Sequence, residues 1–471
     1  MPDSLTRESA ATSAVLLATT PACKLSCAGG TLLDRVTDQL ATLPVHEIQV
    51  VTPGGGLGAD LRGIAKIARI SAGTVAVLPA DLVAHTEALA LLLDHPARNT
   101  AALVSHDATA APMRPPVRVE GGRIVAAGSS FHVVPEANAT FRGVLQAGES
   151  DLASLADIAE ELAELADTGK LGPVTPVEAV DLLLVGLVRS GVAVRAAGLG
   201  PLHADRVAGQ NAADAAVTRL AEVDEARVRL DLSVKENDGF FATFLVSTWT
   251  RHLIRPAVRL KVVPNTVTGA SIGLAGLAAV WFSAGTQGGR LAGALLLCLS
   301  FALDCLDGQL ARYTRTFSPL GAWADGMADR LKEYVVYVGL AFGFGGAGIW
   351  HLAVAAMVLQ VVRHAVYFAY AGAAADAARV GALWGRPARS LLEPADGGRA
   401  KGVLRFAQRM ERDTVVRWLK KIIVLPIGER TALIAVTAAI WNARVTFLSL
   451  LCWGGVAVLY QLGGRIARSA R

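Results

Sequence analysis

Short apolar runs alternate with amphipathic stretches along the first half of the chain. Runs rich in valine and leucine occur at 13–19, 46–52 and 73–79, and segments with helical spacing of apolar residues, such as 32–43 and 86–93, lie between or after them. Strands that alternate with helices predict an α/β domain with a mostly parallel sheet.

The pattern changes near residue 230. Residues 230–263 place aromatic and basic side chains around apolar ones, which is typical of a helix that lies along a membrane surface. A plain amphipathic linker helix fits this pattern as well. We therefore predict a cytoplasmic α/β domain at 1–229 and a juxtamembrane interfacial segment at 230–263.

Long apolar runs fill the rest of the chain. Most of them have about the 20 residues that a helix needs to cross a bilayer. The predicted spans are 265–284, 288–312, 321–345, 348–372, 429–443 and 445–464. Residues 264–471 are thus predicted to form an all-α, six-helix transmembrane domain.

Charge separates the same two halves. Residues 1–230 hold 18 Lys and Arg against 26 Asp and Glu, and residues 231–471 hold 27 against 14, which together give the net charge of +5. Basic loops of membrane proteins face the cytoplasm, so the arginine-rich stretch after the fourth span predicts a cytoplasmic loop and, with six spans, cytoplasmic termini. We expect an integral protein of a bacterial inner membrane, in contact with membrane lipid.

Composition argues against several other classes. No platform of basic and aromatic residues for nucleic acid is visible, so no nucleic-acid partner is expected. The five cysteines have neither disulfide nor zinc spacing. The first residues lack the pattern of a signal peptide, and we expect the first domain to stay in the cytoplasm.

Four carboxylates interrupt the predicted second and third spans, and they are Asp304, Asp307, Asp325 and Asp329. Each pair falls on one stripe of its helix, and helices joined by a short turn are antiparallel neighbours, so the stripes can face each other. Carboxylates in apolar helices indicate a functional site. Two hard divalent cations, Mg²⁺ or Mn²⁺, would balance four negative charges.

Small and basic residues accompany this cluster. Gly308 and Ala311 share the stripe of the first two aspartates, which leaves room for a bulky substrate against the helix. Arg312 and Arg315 follow one turn later and suit a phosphate. The combination predicts phosphoryl transfer on a lipid-attached substrate at the cytoplasmic side of the membrane.

The full pattern, Asp-x2-Asp-Gly-x2-Ala-Arg-x8-Gly-x3-Asp-x3-Asp, begins at Asp304 and resembles the signature of the CDP-alcohol phosphotransferase family. The resemblance implies a homodimeric six-helix membrane enzyme of phospholipid biosynthesis. Such an enzyme moves a phosphatidyl-type group from a CDP-linked lipid or polyol donor to an alcohol acceptor and releases CMP.

The resemblance also implies roles for individual residues. Asp304, Asp307 and Asp325 would bind the metals, and Asp329 would complete the metal site and deprotonate the acceptor hydroxyl. The residues implied for CDP binding are Gly308, Ala311, Arg312, Gly321, Asn265 and Thr268. For the last two, the cap of a helix N-terminus is an alternative.

The acceptor site is less defined. Arg315 and Arg430 are candidates for an acidic acceptor, although Arg430 could equally extend to the membrane interface. Two other classes remain open for the whole cluster. The aspartates could pair with Arg312, Arg315, Arg330 and Lys332 in a non-catalytic scaffold, or line an ion pathway in a transporter.

In the first half, residues 31–40 and 45–51 resemble the first helix and second strand of sugar-nucleotide-type nucleotidyltransferases. Asp81 stands where that fold has a metal-binding aspartate, and Lys24 where it has a phosphate-binding lysine. A glycine-rich phosphate loop should follow the first strand, but residues 18–24 contain no glycine. We therefore predict a degenerate or regulatory domain. The alternative is a bifunctional enzyme whose active cytidylyltransferase supplies CDP-inositol.

Overall fold

The computed structural model describes residues 12–469, apart from residues 28, 108, 110, 112, 235–238, 317–318 and 384–413. The chain divides into two compact units, the first consisting of Met1–Val228 with Asp376–Asp396 and the second of Arg229–Ala375 with Gly397–Arg471. Most of the basic loop predicted after the fourth span falls within 384–413, outside the described residues.

The first unit is built on an eight-stranded sheet with two small two-stranded sheets beside it. The strands are β1 (Thr12–Leu17), β2 (Ser26–Cys27), β3 (Gly30–Thr31), β4 (Val45–Val51), β5 (Val75–Pro79), β6 (Leu82–Ala84), β7 (Ala101–Ser105), β8 (Pro116–Glu120), β9 (Arg123–Ala127), β10 (Ala139–Ala147), β11 (Arg195–Gly198) and β12 (Ala204–Arg206). The large sheet has the order β4-β1-β5-β10-β7-β11-β9-β8.

Six of these eight strands run in one direction, because only β10 and β9 are antiparallel to their neighbours in the series. The predicted α/β architecture with a mostly parallel sheet is therefore confirmed. The hairpin of β8 and β9 turns at Gly121 and Gly122, both with positive φ.

Helices cover both faces of the sheet. They are α1 (Leu32–Ala41), α2 (Gly56–Ile70), α3 (Thr86–Leu93), α4 (Leu152–Asp167), α5 (Ala179–Arg189) and α6 (Gln210–Ala221). Alternate residues of β1 show the layering, since Val15 packs with residues of α2, α4 and α5 while Leu16 packs with residues of α1 and α3. Strands buried on both faces read as continuous apolar runs, which is why the sequence reveals them.

A buried ionic cluster lies just beyond β5. Asp81 accepts two hydrogen bonds from Arg206, from Nε at 2.9 Å and from Nη2 at 3.1 Å. Asp181 on α5 has a carboxylate oxygen 3.8 Å from the same guanidinium, and Thr20 donates to Asp81 at 3.2 Å. All three charged side chains are at most 3% exposed. Arg206 therefore neutralises Asp81 closely and compensates Asp181 only in part.

The second unit is helical throughout its described residues. Its helices are α7 (Glu225–Ser233, which crosses the division), α8 (Ser247–Arg259), α9 (Pro264–Ser283), α10 (Gln287–Thr314), α11 (Pro319–Phe344), α12 (Ala347–Leu383), α13 (Thr414–Val424), α14 (Ile427–Ile440) and α15 (Ala443–Ser469). Helix α8 presents Trp249 and Leu253 to the outside, 44% and 40% exposed, together with exposed arginines.

Four helices in the described part of the chain are long and apolar enough to cross a membrane, at Pro264–Ser283, Gln287–Thr314, Ala347–Tyr370 and Ala443–Gly463. A fifth is possible if the bent pair Trp418–Val424 and Ile427–Ile440, which meet at 68°, forms one span. Helix α11 occupies the predicted third span but carries five charged residues. The all-α prediction is confirmed, and the count of six spans stays a prediction.

The bend between α13 and α14 explains why the predicted fifth span, 429–443, is shorter than the others. Leu425 adopts a positive φ of 52° and Pro426 precedes α14, so α13 cannot continue into it. Carbonyl groups at the break accept hydrogen bonds from Arg363, at 2.7 Å to Val424, and from Arg430, at 3.2 Å to Leu425. These two arginines thus satisfy backbone acceptors that the bend releases.

Helices α9 and α11 approach each other closely through glycine. A Cβ atom at Gly339 would lie 2.4 Å from the carbonyl oxygen of Ala279, and one at Gly343 would lie 2.0 Å from that of Phe282. Small residues four apart on one helix permit such backbone contact in membranes. The two glycines therefore set the separation of α9 and α11.

Replacing Gly339 by alanine should force α9 and α11 apart and lower the free energy of unfolding by about 1–3 kcal/mol, as overpacking does. The measurement is the fraction of detergent-purified protein that remains monodisperse after heating. Gly273→Ala on α9 is the matched control, because a Cβ there meets nothing within 4 Å. Equal thermal losses in the two variants would contradict the proposed tight contact.

Asp181 should make the stability of the first unit dependent on pH. Burial raises the pKa of its carboxyl from 3.8 to about 7. The folded state therefore holds the proton more tightly than the unfolded state, and stability that is present below pH 4 is lost as the pH rises to 7, by up to about 4 kcal/mol. Asp181→Asn should melt like wild type at pH 4 and at higher temperature at pH 8. Parallel melting curves across this pH range would contradict the assignment.

Candidate active site

Three aspartates from two helices meet inside the second unit. Asp304 and Asp307 on α10 and Asp325 on α11 each offer a carboxylate oxygen, and these oxygens all lie within 4.8 Å of one another. Asp307 is only 4% exposed. The facing stripes that the helical spacing predicts are therefore present, and the short connection between α10 and α11 brings them together.

Helix α9 contributes a third side to this group. Thr268 donates a hydrogen bond to Asp307 at 2.6 Å and contacts the carbonyl of Pro264 at 3.2 Å. The cap alternative does not describe Thr268, since Val263 is the N-cap of α9 and its side chain makes no cap hydrogen bond. Thr268 fixes the orientation of a buried carboxylate.

Asp329 lies one turn further along α11 and belongs to a second contact. The ammonium of Lys332 contacts Asp304 and lies 3.1 Å from a carboxylate oxygen of Asp329 and 3.2 Å from Oγ of Ser271. The Lys332 side chain is 8% exposed and that of Asp329 is 25% exposed. Lys332 on α11 thus contacts Asp304 on α10, Asp329 on α11 and Ser271 on α9, and so links the three helices.

The guanidinium of Arg312 lies close to Gly308. A Cβ atom at Gly308 would be 3.4 Å from Nη1 of Arg312. Arg312 also donates from Nε to the carbonyl of Ser233. The glycine therefore gives the arginine room to lie along α10. A planar cation at this position is suited to a phosphate.

The other residues predicted for substrate contacts are spread around this group. Ala311 and Gly321 are half-buried on α10 and α11, and Asn265 is exposed at the start of α9. Arg315 ends α10 in the left-handed conformation, with a φ of 57°. The structure therefore brings Thr268 and Gly308 to the aspartates and leaves Asn265 at the rim.

Arg430 is engaged with protein groups. Its Nε lies 3.1 Å from a carboxylate oxygen of Glu333, and both side chains are at most 8% exposed. Glu333 also accepts from the hydroxyl of Tyr337 at 2.5 Å. Extension of Arg430 to the membrane interface, one of the two sequence interpretations, does not occur, because the side chain is buried.

A small cavity of about 30 Å³ separates this ion pair from the aspartates. It has room for about one water molecule. Its polar lining consists of Ser300, Asp329, Lys332, Glu333, Arg430 and Thr431. Asp329 and Arg430 therefore line the same small cavity, together with apolar side chains such as Leu297 and Val336.

Sequence reasoning missed several of these groups. The sequence indicates Lys332 only as a possible partner of the aspartates, and it does not single out Ser271, Glu333 or Thr431. The sequence did hold a signal for Lys332, since it follows Asp329 by three residues and must share its helix face. Ser271 and Thr431 had none, because single hydroxyls in apolar helices are common.

The first unit places its two candidate residues in different surroundings. Asp81 is 1% exposed and holds Arg206 in the buried cluster described above. Lys24 is exposed in the short 3₁₀ turn Pro21–Lys24 that replaces a glycine-rich loop. The arginine therefore takes the position beside Asp81 where the resemblance implies a cation.

Comparison with solved structures finds similarities that cover part of this chain. The inositol-1-phosphate CTP transferase from T. maritima has a TM-score of 0.34 and 14% identity, and the similarity covers 46% of this chain and 98% of that one. The mannose-1-phosphate geranyltransferase from Thermus thermophilus has a TM-score of 0.31 and 19% identity, with 44% and 79% covered.

Sequence comparison finds a relative of the second unit. The archaetidylinositol phosphate synthase of Aeropyrum pernix is 38% identical over 68 residues, which is 14% of this chain. The chain spans about a third (33%) of the length of this curated relative.

The sequence model of the CDP-alcohol phosphatidyltransferase family matches residues 261–397. This segment contains α9, α10 and α11 and all four aspartates of the site. The resemblance inferred from the aspartate pattern is confirmed: residues 261–397 of this chain are similar to CDP-alcohol phosphatidyltransferases.

Proposed function

We propose that the protein transfers a substituted phosphate group from a CDP-linked donor, such as CDP-diacylglycerol, to an alcohol acceptor and releases CMP. One observation carries this proposal. Asp304, Asp307 and Asp325 converge within 4.8 Å between apolar helices, in the segment that the family model matches. Buried carboxylates that close repel one another unless cations join them, so the arrangement favours metal-dependent chemistry.

The residues present fit Mg²⁺ or Mn²⁺. Carboxylate oxygens are the ligands that both ions prefer, and the three converging aspartates with Asp329 would hold them, two ions balancing the four charges. When bound, divalent cations neutralise the phosphates of the donor and stabilise the charge that develops during transfer.

The side chains around the carboxylates supply binding and orientation. Thr268 holds Asp307 in place, and Arg312 lies where it can bind a phosphate of the donor. The bare backbone at Gly308 and the small side chain of Ala311 leave space for the cytidine diphosphate. Gly321 and Asn265 complete the proposed nucleotide contacts, and Arg315 is a proposed contact for an acidic acceptor.

Asp329 accepts the proton of the acceptor hydroxyl in this proposal. The acceptor oxygen then forms a bond to the phosphorus of the transferred group, and the bond from that phosphorus to the CMP oxygen breaks. Lys332 keeps the Asp329 carboxylate oriented. Arg430, which lines the same small cavity as Asp329, is a second proposed acceptor contact.

The remaining organisation follows the sequence predictions. We propose a cytoplasmic domain at 1–229, an interfacial segment at 230–263 and a membrane domain at 264–471 that dimerises and lies in the inner membrane of a bacterium with both termini inside. The exposed Trp249 and the arginines of α8 support interfacial contact.

Asp329→Asn should lower the rate of CMP release from CDP-diacylglycerol at least about a hundredfold, because a carboxamide cannot accept the hydroxyl proton. CMP is measured by chromatography with Mg²⁺ or Mn²⁺ present, over a panel of alcohol acceptors. Asp231→Asn is the matched control, since this exposed carboxylate lies 3.9 Å from Arg251, outside the aspartate group.

Equal CMP from Asp329→Asn and wild type would refute the assignment of the base. Absence of metal-dependent CMP from every CDP-alcohol tested would refute the enzyme proposal and favour a scaffold or transporter.

The first unit is proposed to be a degenerate or regulatory domain. The rival, a cytidylyltransferase that supplies its own CDP-activated substrate, requires Asp81 to bind a metal. Asp81 already has both carboxylate oxygens bonded to Arg206 in the interior, so an added cation would have to displace a buried arginine.

Wild-type protein should therefore release no pyrophosphate from CTP with a sugar or polyol phosphate and Mg²⁺. An active cytidylyltransferase run in parallel is the positive control. A robust pyrophosphate signal that disappears in Lys24→Ala would establish the rival.

A further inference from the structure

Lys332 is a buried cation whose polar partners all belong to the acidic site. Its side chain is 8% exposed, and its ammonium contacts Asp304, Asp329 and Ser271. Three partners match the three protons of an ammonium group. Lys332 is therefore fully committed to the site and has no other hydrogen-bond acceptor among the described contacts.

These contacts divide the four carboxylates unevenly. Asp304, Asp307 and Asp325 form the close group, whereas Asp329 is reached by Lys332. Asp304 belongs to both arrangements, because it contacts Lys332 and lies within 4.8 Å of the other two aspartates. One edge of the site, from Asp304 to Asp329, is thus bridged by a cation that the chain itself provides.

A cation bridging two carboxylates opposes the binding of another cation to the same oxygens. It occupies the lone pairs that a metal would use, and it repels a divalent ion at short range. It also offsets the repulsion among the carboxylates, which would otherwise destabilise the helix contact. The second effect acts without any metal present.

We propose that Lys332 is a built-in counter-charge that competes with a divalent cation for Asp304 and Asp329. It holds the site together before metal binds and weakens binding along this edge, so that the close group of three aspartates binds more tightly than the edge shared with Asp329. Lys332 is a positioning residue in this role. The inference rests on the proposed function only in taking the site to bind Mg²⁺ or Mn²⁺.

Mn²⁺ binding to the full chain in detergent, without substrate, tests the inference. Free Mn²⁺ is followed by electron paramagnetic resonance. Lys332→Met should lower the dissociation constant for Mn²⁺ by about tenfold or more, since one positive charge leaves a poorly solvated site. Lys332→Arg keeps the charge and should stay within about threefold of wild type. Lys421→Met is the matched control, because its ammonium lies over the ring of Trp418 instead.

If Lys332→Met does not stay folded without metal, thermal stability provides the second measurement. Protein purified with Mn²⁺ is melted before and after chelation. Chelation should lower the melting temperature more in Lys332→Met than in wild type, because only the variant depends on the metal to offset its carboxylates. A Mn²⁺ affinity equal to or weaker than that of wild type, or an equal loss on chelation, would overturn the inference.

CMP release measured on the same samples separates the two proposals. Metal-dependent CMP from wild type with no change in Mn²⁺ affinity in Lys332→Met refutes the role of Lys332 alone. The expected change in affinity without CMP release from any CDP-alcohol refutes the proposed reaction alone.

Discussion

The compensation of charge in an apolar interior is the constraint on which the membrane unit depends. Carboxylates between membrane-length helices cost several kcal/mol each unless cations and hydrogen-bond donors surround them. Thr268, Ser271 and Lys332 provide these groups from α9 and α11. The three helices must therefore stay in register, since the polar groups of one have no compensation without the other two.

The first unit also buries carboxylates, and there the counter-charge is an arginine rather than a lysine. Arg206 forms a fixed planar contact with Asp81 and reaches Asp181 and the carbonyl of Val177 as well. An arginine bound this way stays charged and holds its geometry. Lysine is a compact charge on a flexible chain, and Lys332 can withdraw from a carboxylate more easily. The ion pair of the first unit is therefore a fixed structural contact. In the second unit, Lys332 can give way to another cation at the aspartates.

Much of the fold and the core of the site could be predicted because the relevant signals are local. Strand runs, helix periodicity and the spacing of the four aspartates all lie within a few turns of chain. Asp81 and Arg206 are 125 positions apart in the sequence, and no local pattern predicts their pairing. Contact of Arg430 with Glu333 likewise depends on how α11 meets α14. The bend at Leu425 had a local sign in Pro426, but the positive φ that turns the chain there could not be read from a leucine.

The close contact at Gly339 and Gly343 acts as a pivot between α9 and α11, so that a small tilt there displaces the distant end of the helix pair. Gly343 lies 14 residues from Asp329, which is about 21 Å along a helix. A tilt of about 5° at the glycines would shift the aspartate end of α11 by roughly 2 Å relative to α9, enough to break the hydrogen bond from Lys332 to Ser271. Lipids or partner helices that press on the far end of this pair would therefore tune the spacing of the acidic groups without touching them.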